Sequence, residues 1–356
     1  MADPLRYILF GAGGVGAIWA RNALPRLMEM QKAIPAAVVD ASDERLQFAR
    51  DYLHVTEQNC FTDPMEAMEN RRADFAIIAT PTPQHEKLID AALAHDMHIL
   101  CEAPVADTIQ STLKFYRQSK NAKKKFAVAT SYRLDQDKQT LEHFLREPDF
   151  GKLNYLVMRF TQNLRQHGSW GAHRHLMNDP LLMEAAIHHF DIIRGLTDCK
   201  EANTIYTHSW SSPWAQYRGD TSALVTIEMT NGVKCLYEGS LVNSASLNDL
   251  GEEYIRAECS SATLELDRRS LKMIKGGAHD TPTIEPLPML EQERWAQALV
   301  GELFCDWLRG GNDPPGTISD YVYTAAMVFA AIESATKQMP IDVQMFLKNH
   351  VTATRQ

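Results

Sequence analysis

Glu184, His188 and Asp191 follow one another at spacings of four and three residues. On an α-helix those spacings put the three side chains within about 60° of one face. An imidazole flanked by two carboxylates suits proton transfer near neutral pH, because the negative charge keeps the ring available and oriented. An ordinary helix face of polar pairs has the same spacing, and the pattern by itself leaves both readings open. His189 points away from that face. Just upstream, residues 165–175 are crowded with Arg, Trp and His. Trp170 can stack on a sugar ring, and Arg165 can fork hydrogen bonds to hydroxyls or a carboxylate. Taken singly, each residue of this loop, His175 included, also has a structural reading. His173 and His175, two apart with no nearby carboxylate, are poorly spaced as ligands, so no metal is expected.

A second feature speaks of a nucleotide. The apolar run Tyr7-Ile8-Leu9-Phe10 breaks into Gly11-Ala12-Gly13-Gly14-Val15-Gly16 and resumes through Leu24. Gly11, Gly13 and Gly16 occupy the G-x-G-x-x-G positions, where the turn is tight, a pyrophosphate approaches the backbone, and the helix packs close to the strand. The helix start, with Gly14 and Val15, offers N–H groups and a positive dipole end to the phosphates. The next apolar run, Ala36 to Val39, ends at Asp40, whose carboxylate can accept both adenosine ribose hydroxyls. That favours NAD over NADP, and Arg45 keeps NADP open. The gap from fingerprint to acid is longer than the usual ~20 residues and asks for a first helix running through Met28 and Met30.

A chain of 356 residues suits two domains rather than one core. The net charge of −9 argues against sequence-independent nucleic-acid binding, and Lys123-Lys124-Lys125 reads as a solvated helix end. No window holds the ~18 apolar residues of a membrane helix, and Met1 to Pro4 carries no signal-peptide pattern, so the expected location is the cytoplasm. Cys60, Cys101, Cys199, Cys235, Cys259 and Cys305 are scattered, without disulfide or zinc spacing.

Through Thr130, short apolar runs alternate with amphipathic stretches, the pattern of a doubly wound parallel sheet. Strands are expected at Phe75 to Ala79, His98 to Cys101 and Phe126 to Ala129. Thr80-Pro81-Thr82-Pro83 stops the first of these at the edge where ligands sit, before a helix that starts near His85. From Leu153 the chain turns β-rich, with Asn231-Gly232 as a hairpin signal, and reads as an open, mostly antiparallel sheet. Helical patterns return at Gln292 to Leu308 and Tyr321 to Ala335. The expected division is a Rossmann domain over 1–130 and an α+β domain over 131–356.

These motifs together resemble the glucose–fructose oxidoreductase/inositol dehydrogenase/rhizopine-catabolism (Gfo/Idh/MocA) family from end to end. The matches are the glycine fingerprint, Thr80-Pro81 with His85, Glu102-Ala103-Pro104, Tyr132-Arg133, and the acid-x-x-x-His-x-x-Asp helix. The resemblance implies an NAD(P)-dependent oxidoreductase acting on a secondary hydroxyl of a sugar, sugar derivative or polyol. It makes His188 the general acid/base, sets Glu184 against substrate, and has Asp191 support the helix. It assigns Thr80, Pro81, His85 and Glu102 to the cofactor side and Tyr132 and Arg133 to the substrate side, to which the chemistry of their own loop adds Arg165, Trp170 and His175 as candidates. It further implies a homo-oligomer formed through the second domain's sheet, a small carbohydrate as partner, and neither nucleic acid nor membrane. One position departs: the family's Glu-Lys-Pro lysine is Ala103, which can neither carry charge nor donate a hydrogen bond. That keeps two alternatives open, an NAD-dependent glycosidase or lyase working through transient oxidation, and a sugar sensor without turnover.

Overall fold

Six strands form a parallel sheet: β1 (Leu5–Phe10), β2 (Ala33–Val39), β3 (Cys60–Phe61), β4 (Phe75–Ile78), β5 (His98–Glu102) and β6 (Phe126–Ala129). A computed structural model describes residues 3–353 of the chain. The strand order is β3-β2-β1-β4-β5-β6. β4 and β6 are buried at every position, as a parallel sheet covered on both faces requires. The order reverses between β1 and β4, and ligands of open α/β sheets bind beyond the carboxyl ends of strands at such a point. The long first helix is present: it runs from Val15 to Glu29, with a wide π turn over Trp19–Ala23 and Met30 as its cap.

The expected boundary at residue 130 falls one residue short of the observed one, but the second domain is not continuous. Residues 294–322 return to the first unit, and the second comprises 132–293 and 323 onward. Packing explains the return. On the helix Ala296–Leu308, Phe304 stacks edge-on against Phe75 at 5.4 Å. A side chain at Gly301 would come within 2.9 Å of Leu27 and 3.3 Å of Trp19. Lys32 pairs with Glu302 at 3.1 Å and Asp306 at 2.6 Å. Beyond that helix, the Gly316 carbonyl accepts the Val128 N–H at 2.7 Å, beside β6.

The second unit is built on nine strands: β7 (Leu153–Thr161), β8 (Ala202–Trp210), β9 (Ser222–Met229), β10 (Lys234–Ser240), β11 (Tyr254–Cys259), β12 (Thr263–Asp267), β13 (Ser270–Lys275), β14 (Thr283–Pro286) and β15 (Ile341–Asp342). They run in the order β14-β13-β12-β11-β7-β10-β9-β8-β15, antiparallel except for β7 beside β10. Asn231-Gly232 joins β9 to β10, with Gly232 at φ +90°. Alternation sends Leu156, Met158, Phe160 and Tyr237 inward and leaves Tyr155, Leu224 and Leu236 exposed on the other face. The helix Ile187–Leu196, buried at every position, lies on the inward face, with His189 against Phe160 and Phe190 against Tyr237. Among the described residues no helix is long and apolar enough to cross a membrane.

Candidate active site

In the first unit the glycine loop and the ends of β2, β4 and β5 carry the chemistry. Gly11 has φ +89°, and its N–H is donated to Val39 O at 2.8 Å. A Cβ at Gly11 would lie 2.8 Å from Ala79 O, and one at Gly16 would lie 2.0 Å from Gly11 O. Both glycines are therefore required by the protein's own packing. Gly13 differs, since the three atoms nearest a Cβ there all belong to the flexible Arg45 side chain, and a Cβ at Gly14 would meet nothing within 4 Å. The open space is over Gly14, next to the helix start at Val15, where backbone N–H groups can receive an anion once Arg45 moves aside.

Asp40 is buried and held at both oxygens, by Ala12 N–H at 2.8 Å and Ser42 N–H at 2.9 Å. Arg45 Nη1 stands 3.8 Å from Asp40. Carboxylate oxygens accept more than one bond each, so ribose hydroxyls remain compatible with this arrangement. His85 is a spacer between loops: its Nε2 faces the Thr80 carbonyl at 2.7 Å and its Nδ1 the Val105 carbonyl at 3.3 Å. Pro81 leads from Thr80 into the short turn Thr82–Gln84 before the helix His85–Ala94. Glu102 is buried and accepts the Trp19 indole N–H at 2.5 Å. Burial pushes its carboxyl up to about 7, against the hydrogen bonds from Trp19 and the Ala103 backbone.

In the second unit the helix motif is arranged differently from the expectation of one continuous face. A π turn over Leu182–Ala186 precedes the regular helix Ile187–Leu196, so the even 100° step between Glu184 and His188 is interrupted. Each carboxylate also has its own arginine. Arg174 donates Nε–H to Glu184 Oε2 at 2.6 Å. Arg194 donates to Asp191 at 3.1 Å, and Asp191 also accepts the Thr324 hydroxyl at 3.0 Å, which ties the helix to its neighbour. His188 is buried, packs edge-to-face on Tyr132 at 4.9 Å, and has no hydrogen-bond partner at Nδ1 among the described residues. Burial above all, then His189 and Arg174, lower its pKa to about 3 despite Glu253, so the ring is neutral. The expected pair of flanking carboxylates is thus corrected: no charge relay touches the ring, and desolvation sets its state.

The loop upstream is more tightly tied than its composition suggested. His175 receives the Gly168 N–H at Nε2 (2.9 Å), has Nδ1 2.7 Å from Gln216 O, and stacks on Tyr217 at 4.0 Å. Arg165 donates to Val242 O at 2.9 Å and lies over Trp214. Both His175 ring nitrogens and the Arg165 Nε are thus engaged by loop backbone. Trp170, in contrast, carries the Arg174 guanidinium over its ring at 4.8 Å. Arg133 approaches Asp191 at 4.0 Å. Sequence reasoning missed Arg174 as a partner of the motif, and with it a buried cluster behind His189. There Nδ1 meets the Tyr237 hydroxyl at 3.0 Å, Nε2 lies 3.4 Å from Glu253, and Glu253 pairs with Lys138 at 2.5 Å. Among the described residues no group of three or more His, Cys, Asp or Glu is placed to hold a metal ion.

Comparison with known proteins adds the following. Residues 5–130 match the family model described as oxidoreductase family, NAD-binding Rossmann fold, and residues 144–343 match that of the oxidoreductase family C-terminal alpha/beta domain. An uncharacterized protein, y4oX, of Sinorhizobium fredii is 34% identical over 96% of both chains. An inositol 2-dehydrogenase of Arthrobacter sp. is 30% identical over 55% of both. In fold, the chain is similar to an oxidoreductase from Agrobacterium radiobacter solved with NAD+, L-tartaric acid and magnesium, with a TM-score of 0.82, 19% identity, and coverage of 97% of this chain and 99% of that one.

Proposed function

The chain belongs to the Gfo/Idh/MocA oxidoreductase family, and we propose that it oxidises or reduces a secondary hydroxyl of a sugar, sugar derivative or polyol, with His188 as general acid and base. NAD, when bound, supplies the hydride chemistry. Gly13, Gly14 and Val15 would receive its pyrophosphate and Asp40 its adenosine ribose, while Arg45 beside Asp40 lets the site accept NADP as well.

The observation that carries this reading is the state of His188: buried, neutral, seated against Tyr132, with Nδ1 closed off and without a hydrogen-bond partner among the described residues. A substrate hydroxyl would meet the ring at its other nitrogen, Nε2, and loss of its proton to that nitrogen accompanies loss of hydride from its carbon. The test is a panel of sugars and polyols with NAD+ and NADP+, following nicotinamide absorbance and product together. Reduced nicotinamide accumulating with a ketone product supports the reading. Release of a substituent without net reduction of nicotinamide would move the reaction to elimination.

The exposed sheet face, with Tyr155 and Leu236 lining a hollow of about 710 Å³ and Leu224 exposed as well, supports association of identical chains there. Leu236→Glu should reduce the mass seen by light scattering. All six cysteines are unpaired, which suits a reducing cytoplasm.

A further inference from the structure

Near His188 the second unit holds an arginine, Arg174, with a donor that its partner carboxylate does not use. Arg174 gives Nε–H to Glu184 and Nη1–H to the Trp170 carbonyl at 2.8 Å, and its guanidinium is stacked on the Trp170 ring. Nη2 makes no hydrogen bond among the described residues, and the side chain is 27% exposed. The loop is bent around this group: Gly171 has φ +84°, and a side chain there would come within 3.2 Å of Arg174 Nη1. Arg133, 20% exposed, has Asp191 as its nearest carboxylate at 4.0 Å. Asp191 accepts from Arg194 and Thr324 at Oδ1, and its Oδ2 has no hydrogen-bond partner among the described residues.

We propose that the substrate is a sugar acid, whose carboxylate is bound by Arg174 while a nearby hydroxyl is presented to His188. The proposal rests on the dehydrogenase reading given above. A carboxylate fits a pre-oriented guanidinium edge in a way that a hydroxyl does not, because it accepts from two N–H groups and carries the opposite charge. It also acts on His188. The Arg174 charge is one of the influences that keep the ring from taking a proton. An anion on Arg174 offsets that field and makes the ring a better base when substrate is in place. In the reaction the hydroxyl-bearing carbon loses a hydride to NAD+, the hydroxyl proton passes to His188, and the products are a keto acid and NADH. The carboxylate itself is unchanged.

The test uses matched pairs, D-gluconate with D-glucose and D-galacturonate with D-galactose, on the NAD+-loaded protein. Binding is read by calorimetry and oxidation by NADH formation, for wild type, Arg174→Lys and Arg174→Met. In at least one pair the acid should bind about tenfold or more tighter than its neutral partner. Arg174→Met should remove that difference, and Arg174→Lys, which keeps the charge and a partner for Glu184 but not the fork, should retain part of it. Preference for the neutral sugar in both pairs, failure of both acids to bind, or acid binding unchanged in Arg174→Met overturns the proposal. Neutral sugars oxidised while acids are ignored would leave the dehydrogenase reading standing without it. Acids bound through Arg174 but never oxidised would leave the carboxylate site standing and remove the dehydrogenase reading.

Discussion

Trp19, in the wide turn of the first helix, donates its indole N–H to Glu102 at the end of β5, so the acid of the Glu102-Ala103-Pro104 segment is held by the helix that follows the glycine loop. The bond keeps a buried carboxylate from being costlier still. Glu102 titrates at about 7 in the fold and at 4.5 when free. A carboxyl whose folded pKa is raised contributes stability that is fully present below the unfolded pKa and is lost as pH rises through the folded one. Wild type should therefore lose up to about 3 kcal/mol relative to Glu102→Gln between pH 4.5 and 7. Urea unfolding of both proteins across that range measures it. Asp135, raised to about 7 by burial, acts in the same direction and cancels in the comparison. Trp19→Phe should push the Glu102 carboxyl higher and widen the window.

The glycines of the loop should separate by phenotype. The nearest atoms Gly13→Val would meet belong to the movable Arg45 side chain, so the fold should survive while NAD affinity in calorimetry falls by roughly tenfold or more. Gly16→Ala drives a Cβ to 2.0 Å from a backbone oxygen and should instead cost stability, about 1–3 kcal/mol. Undiminished NAD affinity in Gly13→Val would remove the pyrophosphate from that position.

His188→Asn should lower turnover about 10²–10⁴-fold and leave NAD binding intact. Because the ring's pKa is lowered to about 3, its neutral form persists until the pH drops to that region. The profile of kcat/KM should consequently show no His188 limb between pH 5 and 6, in contrast to an ordinary histidine. An acid limb near 6.5 that disappears in His188→Asn would mean that the free enzyme solvates this ring.

Lys138, Glu253 and His189 are buried together, and the Lys138 ammonium also reaches Asp137 at 3.1 Å and the Gly251 carbonyl at 2.9 Å. Removing one partner strands the other's charge. Lys138→Met should destabilise the second unit by about 3–5 kcal/mol, and the double change Lys138→Met with Glu253→Leu should recover a large part of it. Equal losses in the single and double variants would show that packing, not charge, dominates there.

The glycine fingerprint, the acid after β2 and the strands of the first sheet other than the two-residue β3 were legible because each is a local pattern: a turn that admits only glycine, or a run too apolar for anything but a buried strand. β8 was not legible, since its alternation, Asn203, Thr204, Tyr206 and His208 among apolar neighbours, is too polar to stand out. The partners of the helix motif escaped for a different reason. Periodicity counts neighbours on the helix, and Glu184 is claimed by Arg174 from the preceding loop, while Asp191 is shared with Thr324. Lys138, Tyr237 and Glu253 are far apart in sequence and meet around His189 only through the register of β10 and the loop before β11. The path of residues 294–322 was likewise decided by surfaces on Trp19, Leu27 and Phe75 that no local pattern announces.

The π turn at Leu182–Ala186 has a counterpart at Trp19–Ala23, so the helix after the glycine loop and the helix of Glu184 and His188 each hold one residue more than a regular helix would need. Chain length is thereby a variable in its own right at these two places. Deleting Ala185 would let the helix close into an unbroken α-helical repeat, and because the wide turn has absorbed that residue, His188 and Asp191 would keep their facing while Glu184, inside the turn, would be re-seated. The imidazole would stay against Tyr132 and Asp191 with Thr324, and the contact of Glu184 with Arg174 is the one that would change. A one-codon deletion here is therefore a route by which a related chain could alter the acid of the motif and keep the neighbours of its histidine.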